Sequence, residues 1–527
     1  ISCRPSNFQV VIMTRIALLV LFSTATAFYL PSHEEKLAAW SKLNAVCDGD
    51  YKTGMPDGYE LVLVNPIWRH GDRGPTESYA GDVLTEDDWD FGGGGYGELS
   101  PIGMQQHYEL GQKLWTRYAE NDKFLSARYR AKEVYARSTD KNRTLISAMS
   151  NFAGMYSRAS AIKGTDYPDF AGWPTTFVPV PIHTEPQRTD YIGDATDTYC
   201  PRGDDLWELA KQHPEYMAYD SKPRTQQTLQ YLRDQTGSDA FTINFDNVYL
   251  IRGGMLCESI HFADNFSTWY PWYTEDVKQR VGEIDNQNID FQNGIFGSGL
   301  FQGYDLTVEI PTVRGGPILN EVVQKAQGVL DCYVTNKFGV QTRCTEKDHF
   351  LSNLKYFVIS GHDTSIAAYL TVLEAKPYVL TSGGYSSYSS AVITEFFVDT
   401  KNGNERYFRV LFHDDADSCF RIITPFVTGC EMGADFCKME HLEALAAKYA
   451  PPGGIEDLCM QRVTGPAVST TKPPPPATTS QSTTTNKPDN GPSTTVTVPT
   501  IPTTTTSSSL FSFLSASIFV LIAKLIF

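Results

Sequence analysis

Three times in this chain a short strand-like run ends in a cluster of charged residues, and a helical pattern follows. The first run is Leu61-Val62-Leu63-Val64, leading to the loop Arg69-His70-Gly71-Asp72-Arg73-Gly74-Pro75. Its helix comes later, with Ser100 as N-cap, Pro101 in the first turn, and Met104, His107, Gly111, Leu114, Trp115 and Tyr118 near helical spacing. The second run is Glu133-Val134-Tyr135-Ala136, then Arg137-Ser138-Thr139-Asp140 and a helix over about 141–155. The third is Tyr356-Phe357-Val358-Ile359, then Ser360-Gly361-His362-Asp363 and a helix over about 364–374. Open α/β sheets assemble their sites just beyond the carboxyl ends of strands, where loops lead into helices. All three clusters occupy that position, so one sheet can bring them together.

The chemistry of the clusters is that of phosphate. Arg69 and Arg73 place two guanidinium groups around the imidazole of His70. Arginine's planar fork matches phosphate oxygens and spreads their charge. An imidazole nitrogen can attack phosphorus, which splits hydrolysis into two easier steps. Gly71 lets the backbone pass close to a bound group. Arg137, directly after its strand, supplies a third phosphate clamp. Asp363 either caps the helix that begins at Thr364 or, when protonated, donates a proton to the leaving alkoxide. His362 beside it can hydrogen-bond the phosphate. Overall charge works against such a site: 44 Lys and Arg against 61 Asp and Glu give −17. An acidic surface of that size excludes a nucleic-acid ligand, which needs a basic footprint. It also means that a phosphate site must be a local arginine cluster.

Other clusters carry less. Gly92-Gly93-Gly94-Gly95 has no Gly-Lys-Ser/Thr after it and reads as a flexible loop. Glu86-Asp87-Asp88 and Asp414-Asp415 read as solvated faces. His33, His107, His183, His213, His261, His349 and His441 lack paired ligand spacing and read as structural. His413-Asp414 also follows a strand-like run, but no helical pattern follows it, so His362-Asp363 is preferred. No Cys-x2-Cys spacing occurs, which disfavours zinc.

The ends of the chain differ in composition from its centre. Met13-Thr14-Arg15, an apolar run from Ile16 to Phe22 and Ala25-Thr26-Ala27 form a signal peptide over 13–27. Residues 28–462 read as globular. Residues 466–509 are rich in Thr, Ser and Pro and read as an extended, O-glycosylated stalk. Residues 510–527 are apolar and just long enough to cross a bilayer, which attaches the protein to a membrane. Small residues, a polar spacer and the apolar tail favour a lipid-anchor signal over a single helix. Ten cysteines suit the oxidising compartment that a signal peptide implies. Asn142-Arg143-Thr144 and Asn265-Phe266-Ser267 are glycan acceptors, Asn265 the better one.

Together these segments resemble the histidine acid phosphatases, the branch of the histidine phosphatase superfamily that includes the prostatic and lysosomal enzymes. Arg-His-Gly-x-Arg-x-Pro stands complete at Arg69 to Pro75. The stretch Gly97 to Gly111, the run Val134 to Asp140 and Gly361-His362-Asp363-Thr364 are similar to the family's further motifs, in order, within about 58–462. The resemblance implies His70 as nucleophile, Arg69, Arg73, Arg137 and His362 as phosphate ligands, and Asp363 as general acid. It implies no metal or organic cofactor. It also implies an α/β fold, a mainly parallel sheet flanked by helices, with a mainly helical subdomain inserted at roughly 160–310.

The cysteine positions are similar too, suggesting Cys200–Cys459 and Cys430–Cys437 bridges. Cys419 is a candidate partner for Cys257, and Cys332–Cys344 a candidate local bridge. Expected substrates are small phosphate monoesters, with phosphoproteins and phospholipids within the class, and a homodimer is one assembly the family allows. Rival readings are a phytase, a lysophosphatidic acid phosphatase, or an inactive surface antigen or binding protein on the same fold.

Overall fold

The computed structural model describes residues 55–464 apart from 80, 122, 194–195, 340–343, 345–349, 382–383 and 416–417. The signal peptide, stalk and apolar tail expected at 13–27, 466–509 and 510–527 lie outside the described residues. Among the described residues, no helix is long and apolar enough to cross a membrane.

Along the chain, β1 (Tyr59–Arg69), α1 (Pro101–Trp115), β2 (Val134–Thr139), α2 (Asn142–Tyr156) and β3 (His183–Glu185) come first. Six helices follow: α3 (Pro201–Ala210), α4 (Pro214–Asp220), α5 (Pro223–Thr236), α6 (Tyr249–His261), α7 (Ala263–Trp269) and α8 (Glu275–Gln292). The small pair β4 (Leu300–Phe301) and β5 (Tyr304–Asp305) leads into α9 (Leu306–Arg314) and α10 (Gly316–Phe338). Then come β6 (Tyr356–Gly361), α11 (Asp363–Val372), α12 (Lys376–Val379), β7 (Ala391–Asp399) and β8 (Glu405–His413). The last elements are β9 (Arg421–Ile422), β10 (Cys437–Lys438), α13 (Met439–Lys448) and α14 (Ile455–Met460).

The fold is α/β. Its main sheet runs β10-β8-β7-β1-β6-β2-β3, with β9 paired to β8. Strands β1, β6, β2 and β3 are parallel, while β7, β8 and β10 extend the sheet antiparallel. All three clusters therefore belong to the parallel half. One apolar cluster packs α10, α11 and α13 on the sheet, including Ile318, Val322, Ile366 and Leu442. Another packs α1 and α2, through Leu110, Leu114, Ala148 and Phe152. Helices α5, α6 and α8 share a core of their own, with Leu229, Leu232, Ile251, Met255, Val281 and Ile284.

Strand β1 is longer than its apolar run, and the reason is local. Pro66 has no N–H, so the run ends as a readable strand at Val64. In the parallel ladder Val64 N donates to Lys355 O at 2.8 Å, and two residues on, Pro66 has nothing to donate. The Asn65 side-chain amide fills the gap, donating to Phe357 O at 2.6 Å. The strand therefore continues to Arg69, paired with Gly361 of β6. Likewise β2 runs through Arg137 to Thr139, so Arg137 is a strand residue, not a loop residue. Asp363 is the first residue of α11 and not its cap. His362 is the N-cap, and Ser365 Oγ accepts its backbone N–H at 3.1 Å.

The bridges are Cys200–Cys459, Cys332–Cys344 and Cys430–Cys437. Pairing of Cys257 with Cys419 is corrected. Cys257 is a free, buried thiol on α6, and Cys419 is disulfide-bonded elsewhere. Asn142 and Asn265 are both exposed.

Candidate active site

The sheet order β1-β6-β2 sets the carboxyl ends of three strands side by side, with Arg69 level with Gly361 and Arg137 level with Ile359. Trp68 locks this edge: its indole N–H donates to Ser360 Oγ at 2.8 Å, and Ser360 Oγ donates to Thr144 O of α2 at 2.9 Å. The loop after β1 is pressed onto the first turn of α1. A Cβ on Gly71 would stand 2.3 Å from Gly103 O, and one on Gly103 would stand 2.2 Å from Asp72 O. Both positions need glycine for this contact. The expectation that Gly71 admits a ligand is thus corrected; it admits a helix. Ser100 caps α1 as expected, accepting from Gly103 N at 3.0 Å, and its hydroxyl donates to Asp72 Oδ2 at 2.5 Å.

His70 is buried, and its Nδ1 lies 2.8 Å from Gly71 O. A carbonyl can only accept, so Nδ1 carries the hydrogen and Nε2 keeps its lone pair. Burial pushes the imidazole well below its ordinary pKa, and Arg143, Arg69, Arg73 and His362 push it further. His362 lies beside it, ring centroids 5.6 Å apart, and its Nε2 is 2.9 Å from Thr139 Oγ1. Its pKa is also well below normal, through burial and then Arg143, Lys141, Arg73 and Arg69. Two neutral imidazoles thus sit in one cationic nest.

Arg69 is held from three sides. Nη2 meets Asp363 Oδ2 at 2.9 Å, Nη1 donates to Ser386 O at 2.5 Å, and the guanidinium lies over the Tyr388 ring at 4.3 Å. Arg73 donates to Gly74 O at 2.7 Å and lies 3.9 Å from the Cys257 thiol. Arg137 is at the strand end, where Asp190 Oδ1 holds its Nη2 at 2.6 Å. The structure thus brings together Arg69, His70, Arg73, His362 and Asp363, with Arg137 tied to a carboxylate at the edge.

Several participants were missed. Arg143 stands inside a glycan-type tripeptide in the sequence, yet it is the charge acting most strongly on both imidazoles. Its place six residues after Arg137, in the first turn of a helix pointing at the cluster, was the available signal. His107, read as structural, donates from Nε2 to Arg69 O at 2.8 Å and so braces the end of β1 that leads into the His70 loop. His261, also read as structural, meets Asp72 Oδ2 at 2.6 Å. Tyr388 gave no signal at all, and Cys257 gave only that of a disulfide half. His413-Asp414 ends β8 on the antiparallel side, and burial drives His413 down to about 3.

Residues 60–413 match the model of the histidine phosphatase superfamily, branch 2. The chain belongs to that family. It is a phosphatase. It is 31% identical over 405 residues to a putative acid phosphatase of Caenorhabditis elegans, covering 76% of this chain and 89% of that one. Human lysosomal acid phosphatase is 30% identical over 352 residues, 66% of this chain and 70% of the relative. Human prostatic acid phosphatase is 28% identical over 347 residues, 64% and 75% of the two chains. Among solved structures, Hafnia alvei phytase in complex with tartrate superposes with a TM-score of 0.53 at 14% identity, over 78% of this chain and all of that one. That likeness concerns the fold alone.

Proposed function

We propose that this phosphatase hydrolyses phosphate monoesters through a phosphohistidine on His70. The single observation that carries the reading is the Nδ1 contact to Gly71 O inside the arginine nest, which leaves a neutral Nε2 as the attacking atom. Arg69, Arg73 and Arg143 offer forks to the phosphoryl oxygens, with Arg137 and His362 completing the clamp. In the transition state charge grows on those oxygens, where the donors are already in place.

Asp363 is paired with Arg69. A phosphate dianion competes for Arg69 and frees Asp363 to act as the general acid. That acid donates its proton to the departing alkoxide, and the resulting carboxylate takes a proton from the water that releases phosphate from Nε2.

The same proposal places the protein in the secretory pathway, at the cell surface, with glycans at Asn265 and Asn142 and a membrane attachment through 510–527. Lysosomal and prostatic relatives and the long-range Cys200–Cys459 bridge support the compartment; the composition of the tail supports the attachment.

Quenching a reaction with labelled phosphate ester tests the mechanism. The expected product is an acid-labile, base-stable phosphoprotein, lost in His70→Ala. An undiminished adduct in that variant, or no adduct in the parent protein, overturns the assignment.

A further inference from the structure

Next to the site lies a cavity of about 330 Å³ whose walls include Thr364, Tyr385, Asp285, Trp207, Tyr249 and Arg314. Thr364 directly follows Asp363, and the charge of Asp363 reaches both Tyr385 and Asp285. The cavity therefore adjoins the proposed general acid, the group that would hand its proton to the leaving oxygen.

The charges in its walls are unevenly matched. Asp285 is buried and paired with Arg252 at 2.8 Å. Asp204 also lines the cavity and is exposed to solvent. Arg314 has no carboxylate within ion-pair distance among the described residues. Its Nη1 donates to Gln292 O at 2.7 Å, and its Nε is buried without a hydrogen-bond partner. Burial lowers its pKa, with Tyr385 acting in the opposite sense. Tying down the end of α8 accounts for one of its five N–H donors and leaves the charge uncompensated. A half-buried guanidinium without a counter-charge is unfavourable, and an anion in the cavity removes that penalty.

We propose that Arg314 binds a second anionic group on the leaving portion of the substrate. Preferred substrates are then phosphate monoesters that also carry a carboxylate or a second phosphate. The aromatic rings of Trp207, Tyr249 and Tyr385 wall the apolar part of such a leaving group. This inference rests on the monoesterase reading above and adds a substrate class to it.

Matched pairs of substrates test it. 3-Phosphoglycerate is compared with glycerol 3-phosphate for the carboxylate, and propane-1,3-diol bisphosphate with its monophosphate for the second phosphate. The parent protein is expected to favour the charged member of at least one pair by about 10-fold or more in kcat/KM, the scale of one charge-assisted contact. Whichever pair shows it identifies the anion. In Arg314→Gln that ratio falls toward one, in Arg314→Lys part of it returns, and in Arg314→Glu it inverts. The ratio is unaffected by a uniform loss of activity. A parent protein with no preference in either pair overturns the inference without any variant, as does a preference that survives Arg314→Gln. Failure to turn over any of the four esters, with no phosphoenzyme trapped, sinks the hydrolytic reading instead.

Discussion

His261 Nε2 lies 2.6 Å from Asp72 Oδ2, although the two residues are 189 apart in sequence. Asp72 stands between His70 and Arg73 and also accepts from Ser100 Oγ. The last residue of α6 thus fixes the loop that carries His70, the proposed nucleophile, and Trp89 and Phe91 pack against its ring. His261→Ala is expected to lower kcat/KM by roughly 10-fold through misplacement of the loop. His261→Asn, which can still donate to Asp72, should recover part of that loss. Equal defects in both variants would point to packing of the ring instead of the hydrogen bond.

Asp363 should matter unequally across substrates. An alkyl phosphate leaves as a basic alkoxide and needs a proton, whereas a nitrophenyl phosphate does not. Asp363→Asn is expected to depress kcat for the alkyl ester about 100-fold more than for the aryl ester. Steady-state rates on the two esters decide this, and equal losses would assign Asp363 to holding Arg69 alone.

Glu258 gives the protein a pH dependence of stability. Burial pushes its carboxyl from the ordinary 4.5 up to about 7, and Tyr79 donates to it at 2.9 Å. The unfolded chain ionises Glu258 near 4.5, while the folded protein keeps the proton until about 7. Its stabilising contribution is full below 4.5 and is lost as pH rises to 7. Glu258→Gln cannot ionise, so between pH 4.5 and 7.5 it should lose on the order of 2 kcal/mol less than the parent protein. Denaturant unfolding at both pH values measures the difference. Parallel losses would show that Glu258 does not titrate in this window.

On β7, Glu395 is fully buried between Arg409 at 2.6 Å and Arg117 at 3.0 Å, and Tyr118 donates to it at 2.7 Å. Burial alone would raise its pKa, but the two guanidiniums hold it below normal. Glu395→Gln removes the charge that the two buried guanidiniums share and should cost about 3–5 kcal/mol. Because the folded pKa is depressed, the Glu395 contribution is present above the ordinary carboxylate range and is lost as acid protonates it. Chemical denaturation at neutral pH checks the magnitude. A loss below about 1 kcal/mol would mean that the arginines find other partners.

Local features of the sequence settled local outcomes. Ser100-Pro101 starts a helix because a hydroxyl caps it and proline tolerates its first turn. The run Arg69 to Pro75 discloses phosphate chemistry because its groups are neighbours along the chain, and the apolar run Tyr356 to Ile359 marks a buried parallel strand. What depends on distant residues was not legible. The apolar run of β1 stops at Val64, and only the reach of Asn65 to Phe357 O shows how the strand passes Pro66. Cys257 looked like half of a bridge, since only packing shows which thiols meet. Arg143 and His261 enter the site through the placement of α2 and α6, and Arg314 lines a cavity formed where several helices meet. The sequence by itself determined the family and the α/β alternation and named the candidate reactive groups, because side-chain chemistry and periodicity are properties of short stretches. Only the tertiary structure decided which charges are matched, which imidazole nitrogen is free and which helix braces the loop. Each of these is set by burial and by contacts between residues far apart in the chain.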